Sequence, residues 1–288
     1  MKGMIELSRK RDREILVLGA TGTIGSLVAK ELEPINELIR LGSRSKPQYS
    51  ENMEHFIVDV MTGKGLVDAL AGIRKLFLIT PDMMDQLGAE LRIVEAAVKA
   101  GVEHIVKVSA FGAARQDYMI GCIHRSVEMA IESSGATWTF LRPTAFMQNF
   151  STYYLPSIKS AGVVRLPCRD TPVSFIDACD IATIAADSLV NPAYINHSYE
   201  MFGPEALSYS QAAQKLSKSI GMEIRYEAIG DAEYQNEMGI SSAHRLLDLY
   251  RYYRSGHAMG EPFDMVAHKG RELRRFSDFA ASNREVFV

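Results

Sequence analysis

The sequence predicts an α/β protein: a doubly wound parallel sheet followed by a small C-terminal α+β lobe. Three observations carry this. Short apolar runs alternate with amphipathic helices through the first two-thirds of the 288 residues, the pattern of a parallel sheet covered on both faces. The first run leads into a glycine-rich turn and then a helix. After Asn149 the alternation loosens.

Residues 14–19 (EILVLG) read as the first buried strand. The helix after it sets Ile24, Leu27, Val28 and Leu32 on one face, with Pro34 just beyond. Residues 38–41, 55–59 (HFIVD), 75–80 (KLFLIT), 104–109 (HIVKVS) and 137–142 (TWTFLR) predict five further strands. Between them lie a short helix at 66–70, a helix with Leu87, Leu91, Val94 and Val98 inward that stops at Gly101, and one with Ile123, Val127, Ala130 and Ile131 inward that ends at Gly135. Farther on, 173–176 and 199–202 predict strands. Residues 181–189 predict a helix with Ile181, Ile184, Ala185 and Leu189 inward. Ser208 and Gln211 form a capping box for a helix that closes at Gly221. Residues 243–254, with Leu246, Leu247, Tyr250 and Tyr253 on one side, and 277–281 predict two late helices. The expected organisation is a domain over 13–150, completed by 173–203, and a substrate lobe formed by 151–172 and 204–288.

Lys and Arg number 32 against 35 Asp and Glu, a net charge of −3, which excludes a mainly electrostatic nucleic-acid or membrane binder. Cys122, Cys168 and Cys179 form no CxxC pair, so neither a disulfide framework nor a zinc site is expected. The seven histidines show no HxH or HExxH spacing, and no metal is expected. Residues 1–13 mix charges of both signs and lack a signal peptide's apolar stretch. No run approaches the ~18–20 apolar residues that span a bilayer. The expectation is a cytoplasmic protein whose partner is a small molecule, with sheet-edge and late-helix surfaces open to a homodimer.

The turn Gly19-Ala20-Thr21-Gly22-Thr23-Ile24-Gly25 lies between the first strand and the first helix. Gly19 permits the tight turn, Gly22 admits a pyrophosphate to the backbone, and Gly25 lets the helix pack close to the sheet. The helix N-terminus offers N–H groups and partial positive charge. A glycine-rich turn without a ligand is the plain alternative. The strand before, the amphipathic helix after and the repeated βα units favour dinucleotide binding in a Rossmann-type domain. At the end of the second strand, Arg40-Leu41-Gly42-Ser43-Arg44-Ser45-Lys46 holds no acid for a ribose 2′-hydroxyl. Arg44 suits a 2′-phosphate, with Ser43 adding a hydroxyl and Lys46 a charge. The alternative is a solvated basic loop. NADP(H) is therefore expected over NAD(H). By strand-end position Asp59 and Val60 fall near the adenine, and Thr80 and Pro81 near the other ribose.

These motifs resemble the NmrA-like branch of the atypical short-chain dehydrogenases/reductases. GATGTIG fits its GATGxxG turn. His124-Arg125-Ser126-Val127-Glu128, Ser134-Gly135 and Thr139-Phe140-Leu141-Arg142-Pro143 are similar to its H/K-x-x-x-E, SG and T-x-L-R-P segments. Phe146-Met147-Gln148-Asn149 continues the likeness, as do Phe175-Ile176-Asp177 and Asp180-Ile181-Ala182. Within the family the chain looks closest to the triphenylmethane reductase, quinone reductase and ergot-alkaloid (agroclavine or festuclavine) dehydrogenase-like members. The resemblance implies that Thr21, Gly22, Thr23 and Ile24 line the pyrophosphate and that Arg44 meets the 2′-phosphate. It also implies that Pro143, Thr144 and Phe146 flank the nicotinamide and that Asn149 sits near the substrate lobe.

The chain departs from the wider family's Tyr-x-x-x-Lys pair. With Glu128 matched to the family glutamate, the lysine position falls on His124 and the tyrosine position on Ile120. Tyr118 is two residues away, about 200° around a helix. Conventional carbonyl reduction is thereby disfavoured, and hydride transfer to an already activated acceptor needs less acid help. His124, with an ordinary pKa of ~6.5, is the remaining proton donor; cofactor contact, or a helix-holding pair with Glu128, are its alternatives. Ser109 is either a cofactor contact or a strand-end cap. Met147, Tyr153 and Tyr154 are candidates for the wall of a flat substrate's site, as are Tyr250, Tyr252 and Tyr253, although helical aromatic spacing favours core for the last group. Arg271, Arg274 and Arg275 read as solvated surface.

The leading expectation is an NADP(H)-dependent oxidoreductase that passes hydride to a quinone, iminium, dye or enone. The alternative is a catalytically silent NAD(P)-binding redox sensor with a regulatory protein partner, a reading that the missing pair keeps open. A sugar-nucleotide epimerase ranks third, because that chemistry leans on the missing tyrosine.

Overall fold

The computed structural model describes residues 15–35, 38–46 and 53–288; the expected domain start at residue 13 and Glu14 of the first strand lie outside them. The chain divides into two compact units. The first holds the described residues up to Ser109 together with Ile123–Leu141 and Ile181–Tyr199; the second holds Ala110–Cys122, Arg142–Asp180 and Glu200–Val288. The expected boundary at 150 differs from this division. After the fifth and sixth strands the chain carries Phe111, Tyr118, Met147 and Phe150 into the core of the second unit.

In chain order the first unit contains β1 (Ile15–Leu18), α1 (Thr23–Leu32), β2 (Ile39–Ser43), β3 (Glu54–Ile57), α2 (Leu66–Leu70), β4 (Lys75–Leu78), α3 (Gln86–Ala100) and β5 (His104–Val108). Most of α4 (Met119–Glu132) and of β6 (Thr137–Pro143) also belongs to it. Strand β1 pairs in parallel with β2 and β4, β2 with β3, β4 with β5, and β5 with β6. With β9 (His197–Met201) beside β6, the sheet order is β3-β2-β1-β4-β5-β6-β9. The order reverses between β1 and β4, where the carboxyl ends of a doubly wound sheet leave a crevice for a ligand. All four residues of β1 are fully buried, which is why that strand reads as one unbroken apolar run. Leu16, Leu18, Leu76, Leu78 and Ile105 meet Leu66 and Leu70 of α2, Ile93, Val94 and Ala97 of α3, and Val127 and Ile131 of α4 in one core.

Helix α3 is rotated from the expected phase. It buries Gln86, Ala89, Glu90, Ile93, Val94 and Ala97, while Leu91 and Val98 stand 37% and 40% exposed. The buried face is the one that carries Glu90, which pairs with Lys107 on β5.

The second unit contains α5 (Leu155–Ala161), β7 (Val163–Leu166) and β8 (Val173–Ser174), then β10 (Ala206–Leu207), α7 (Tyr209–Ile220) and β11 (Arg225–Ala228). Helix α6 (Ala178–Val190) begins in it and continues in the first unit. Next come α8 (Asp231–Met238), α9 (Ile240–Arg254), α10 (Met265–Lys269), α11 (Phe276–Ser282) and α12 (Arg284–Phe287). Strand β7 pairs in parallel with β11, and β8 pairs antiparallel with β10. The capping box of α7 is formed: Gln211 N donates to Ser208 Oγ at 3.2 Å, and Ser208 N donates to Gln211 Oε1 at 2.9 Å. Tyr250, Tyr252 and Tyr253 are core residues. Two of the three late arginines depart from the expected solvated surface. Arg271 Nη1 donates to Asp180 Oδ1 at 2.7 Å, and Arg274 Nε donates to Asp177 Oδ2 at 2.9 Å. Both carboxylates are buried, and the arginines supply the charge that burial demands. Arg275 stays largely exposed, 3.6 Å from Glu205.

Among the described residues, no helix is long and apolar enough to cross a membrane.

Candidate functional site

The turn after β1 is shaped by backbone contacts. Gly19 takes a φ of +71°, in the left-handed region that favours glycine. Its carbonyl accepts the Gly22 N–H at 2.8 Å, and its own N–H donates to Gly42 O of β2 at 2.9 Å. A Cβ on Gly25 would lie 2.2 Å from Gly19 O, and a backbone oxygen cannot swing aside. Thr21, Gly22 and Thr23 are exposed, whereas the Ile24 side chain is buried. The N-cap, Gly22, makes no side-chain capping bond, so the first-turn amides of α1 can serve an anion. This cradle fits a dinucleotide pyrophosphate. Gly25→Val is expected to weaken NADPH binding at least ~100-fold, because the turn must open to admit the side chain; a fluorescence titration of the purified variant checks it.

At the end of β2, Arg44 and Lys46 are exposed. Ser43 is buried, and its hydroxyl donates to Ser45 O at 2.7 Å instead of standing open to a phosphate. Asp59 lies in the turn after β3. Its carboxylate accepts from Thr62 Oγ1 at 2.9 Å and Met61 N at 3.0 Å. These bonds, with the Arg44 guanidinium nearby, hold its pKa below the usual carboxylate value. Val60 is half-buried beside it, and Pro81, after β4, is exposed.

Behind these strand ends lies a buried polar network that sequence reasoning missed. Thr80 Oγ1 donates to Glu90 Oε1 at 2.6 Å, and Lys107 Nζ donates to Glu90 Oε2. The side chains of Lys107 and Glu90 are both fully buried. Burial alone would raise the Glu90 pKa, but Lys107, His124 and the two hydrogen bonds bring it below the ordinary value. A lysine inside the apolar run HIVKV was the available signal, since a buried lysine needs a partner.

His124 on α4 is 8% exposed. Burial first and Lys107 second push its pKa down to about 4, against the opposing pull of Glu90 and Glu128. The imidazole is therefore neutral at neutral pH, which removes the expected imidazolium donor. Among the described residues its Nδ1 has no hydrogen-bond partner. Glu128 instead accepts from Ser109 Oγ at 2.7 Å and from Arg125 Nη1 at 3.1 Å, so the Ser109 hydroxyl is engaged beneath the strand end.

His104, also buried, donates from Nε2 to Ser188 O at 3.1 Å, and burial lowers its pKa to about 4. For His104 and His124 alike, the unfolded chain takes a proton below about 6.5 and the folded protein does not. Stability is thus full above that pH and falls as pH drops from 6.5 toward 4, by up to about 3 kcal/mol for each histidine. Urea midpoints at pH 7 and pH 5 check this. An unchanged midpoint would contradict it.

In the second unit, Pro143 and Thr144 are buried, and Thr144 Oγ1 donates to Ser174 O at 2.5 Å. Phe146, Asn149 and Tyr154 are half-buried. Met147 is 1% exposed within the core, whereas Tyr153 is 75% exposed. Tyr118 precedes α4, and its hydroxyl donates to Phe111 O at 2.7 Å; burial raises its pKa, so it does not stand in for the missing tyrosine.

The model of the NmrA-like family matches residues 11–280. An NAD(P)H azoreductase of Xenophilus azovorans is 32% identical over 283 residues, covering 95% of this chain and 99% of that protein. A (4-alkanoyl-5-oxo-2,5-dihydrofuran-3-yl)methyl phosphate reductase of Streptomyces griseus is also 32% identical, over 282 residues, with 95% and 99% covered. The crystal structure of a Citrobacter triphenylmethane reductase complexed with NADP(H) superposes with a TM-score of 0.80 at 22% identity, over 94% of this chain and 99% of that one; it shares the fold. With the family's pattern running along nearly its whole length, the chain belongs to the NmrA-like family.

Proposed function

We propose that the protein is an NADP(H)-dependent reductase that passes hydride to a flat, activated small molecule such as a quinone, iminium compound, dye or enone. The observation that carries the reading is an open phosphate cradle at the N-terminus of α1, next to a strand end where Arg44 and Lys46 are exposed and none of the described residues 43–46 is acidic. The turn and the first amides of α1 hold the pyrophosphate, and Arg44 and Lys46 hold the 2′-phosphate. Thr80 and Pro81, which follow β4, are assigned to the second ribose. The bound dinucleotide supplies the hydride, and the protein supplies binding and orientation. His124 is neutral, and Ile120 stands at the family's tyrosine position, so the acceptor must need little proton help. Tyr153, whose ring stands in solvent, and half-buried Asn149 are assigned to the acceptor.

The names of the relatives support reduction, and the azoreductase adds azo dyes to the candidate acceptors. The test is NADPH depletion by purified protein with a panel of quinones, iminium compounds, triarylmethane dyes, azo dyes and enones. Steady multiple turnovers with one class are expected. Saturable NADPH binding without turnover on any class would favour the redox-sensor reading.

A further inference from the structure

The basic loop after β2 is tied to a residue of β3. Ser43 Oγ lies 2.7 Å from Ser45 O and 3.0 Å from His55 Nε2. A serine hydroxyl has one proton to give, and a carbonyl oxygen can only accept. The Ser43 proton therefore goes to Ser45 O, and His55 Nε2–H must be the donor to Ser43 Oγ. This fixes the tautomer of His55 and gives the chain a direction: imidazole to hydroxyl to carbonyl. His55 is opposite Leu41 in the β2–β3 register, so it reaches the loop from a strand of the sheet. The carbonyl at the end of the chain belongs to Ser45, which lies between Arg44 and Lys46. Burial and the Lys46 charge both lower the His55 pKa, consistent with a neutral ring beside a cation.

We propose that His55 is a specificity-determining positioning residue, which sets Ser43 against Ser45 so that Arg44 and Lys46 are presented together to the cofactor's 2′-phosphate. The proposal rests on the NADP(H) reading above. His55 does not touch the phosphate itself. It acts through the loop that, on that reading, meets the 2′-phosphate, so its removal is expected to affect NADPH and to spare NADH. A histidine that merely stabilised the sheet edge would affect both alike.

The test uses the full chain and titrations with NADPH and NADH. His55→Ala is expected to weaken NADPH binding about three- to tenfold, the worth of one hydrogen bond, and to leave NADH within about twofold. His55→Gln, whose amide N–H can occupy the place of Nε2, is expected to recover most of the loss. Ser43→Ala should match His55→Ala, and the double variant should be no worse than either, since both break the same chain. Equal losses for both cofactors, or fully additive losses in the double variant, would overturn the proposal. Failure of the underlying reading looks different: the unmodified protein would show no preference for NADPH, or Arg44→Ala would leave the preference intact. A preference that depends on Arg44 but is untouched by His55→Ala overturns the proposal alone.

Discussion

Replacing Arg44 by alanine is expected to weaken NADPH binding about 10- to 100-fold while NADH binding changes by no more than about twofold. The range follows from the ~1.5–3 kcal/mol of a hydrogen bond to a charged group. NADPH and NADH differ only in the 2′-phosphate, so the difference between the two titrations isolates the contact. Arg44 is exposed, and an acid that it influences, Asp59, is held by Thr62 and Met61. The guanidinium can therefore turn to a phosphate without breaking a core interaction, and the substitution should leave thermal stability nearly unchanged. Parallel losses for the two cofactors would place Arg44 outside the 2′-phosphate site.

The second large effect concerns stability. Lys107→Met alone is expected to cost about 3–5 kcal/mol, because it leaves the Glu90 carboxylate buried without its cation. In a chain of this size that corresponds to a fall in melting temperature of roughly 5–8 °C. The paired change, Lys107→Met with Glu90→Leu, removes both charges and fills the space with apolar atoms, so most of the loss should be recovered. Thermal unfolding of the two single variants and the double variant gives the coupling directly. A single variant within about 1 kcal/mol of the unmodified protein would mean that the pair is far better solvated than its complete burial implies.

The same pair shows where the sequence was readable and where it was not. The β1–turn–α1 unit was legible because its constraint is local. Gly19, Gly22 and Gly25 lie within one turn, and the clash that excludes a side chain at Gly25 is with Gly19 itself. The α7 cap was legible for the same reason, since Ser208 and Gln211 satisfy each other. The phase of α3 was not. Leu91 and Val98 looked inward by spacing, but the buried face is the one that carries Glu90 to Lys107, 17 positions along the chain. Arg274 looked like surface because its partner Asp177 is 97 positions away. A strand as short as β10, two residues long, carries too little alternation to be read, whereas the equally short β8 falls within the predicted strand 173–176. At the candidate site the same division holds. The glycines and the basic loop were visible as motifs, whereas the neutrality of His124 depends on burial and on Lys107. The links from Ser109 to Glu128 and from His55 to Ser43 join side chains brought together only by the sheet and its helices.

Turnover of NADPH with hydride delivered to an activated acceptor is the activity expected of the protein. It is tested most directly by following NADPH and acceptor together to the end of the reaction, with acceptor in large excess over enzyme. Many turnovers per protein molecule are expected, with one NADPH consumed per two-electron reduction and a higher kcat/KM with NADPH than with NADH. Saturable NADPH binding with no acceptor reduced beyond the uncatalysed rate would contradict it.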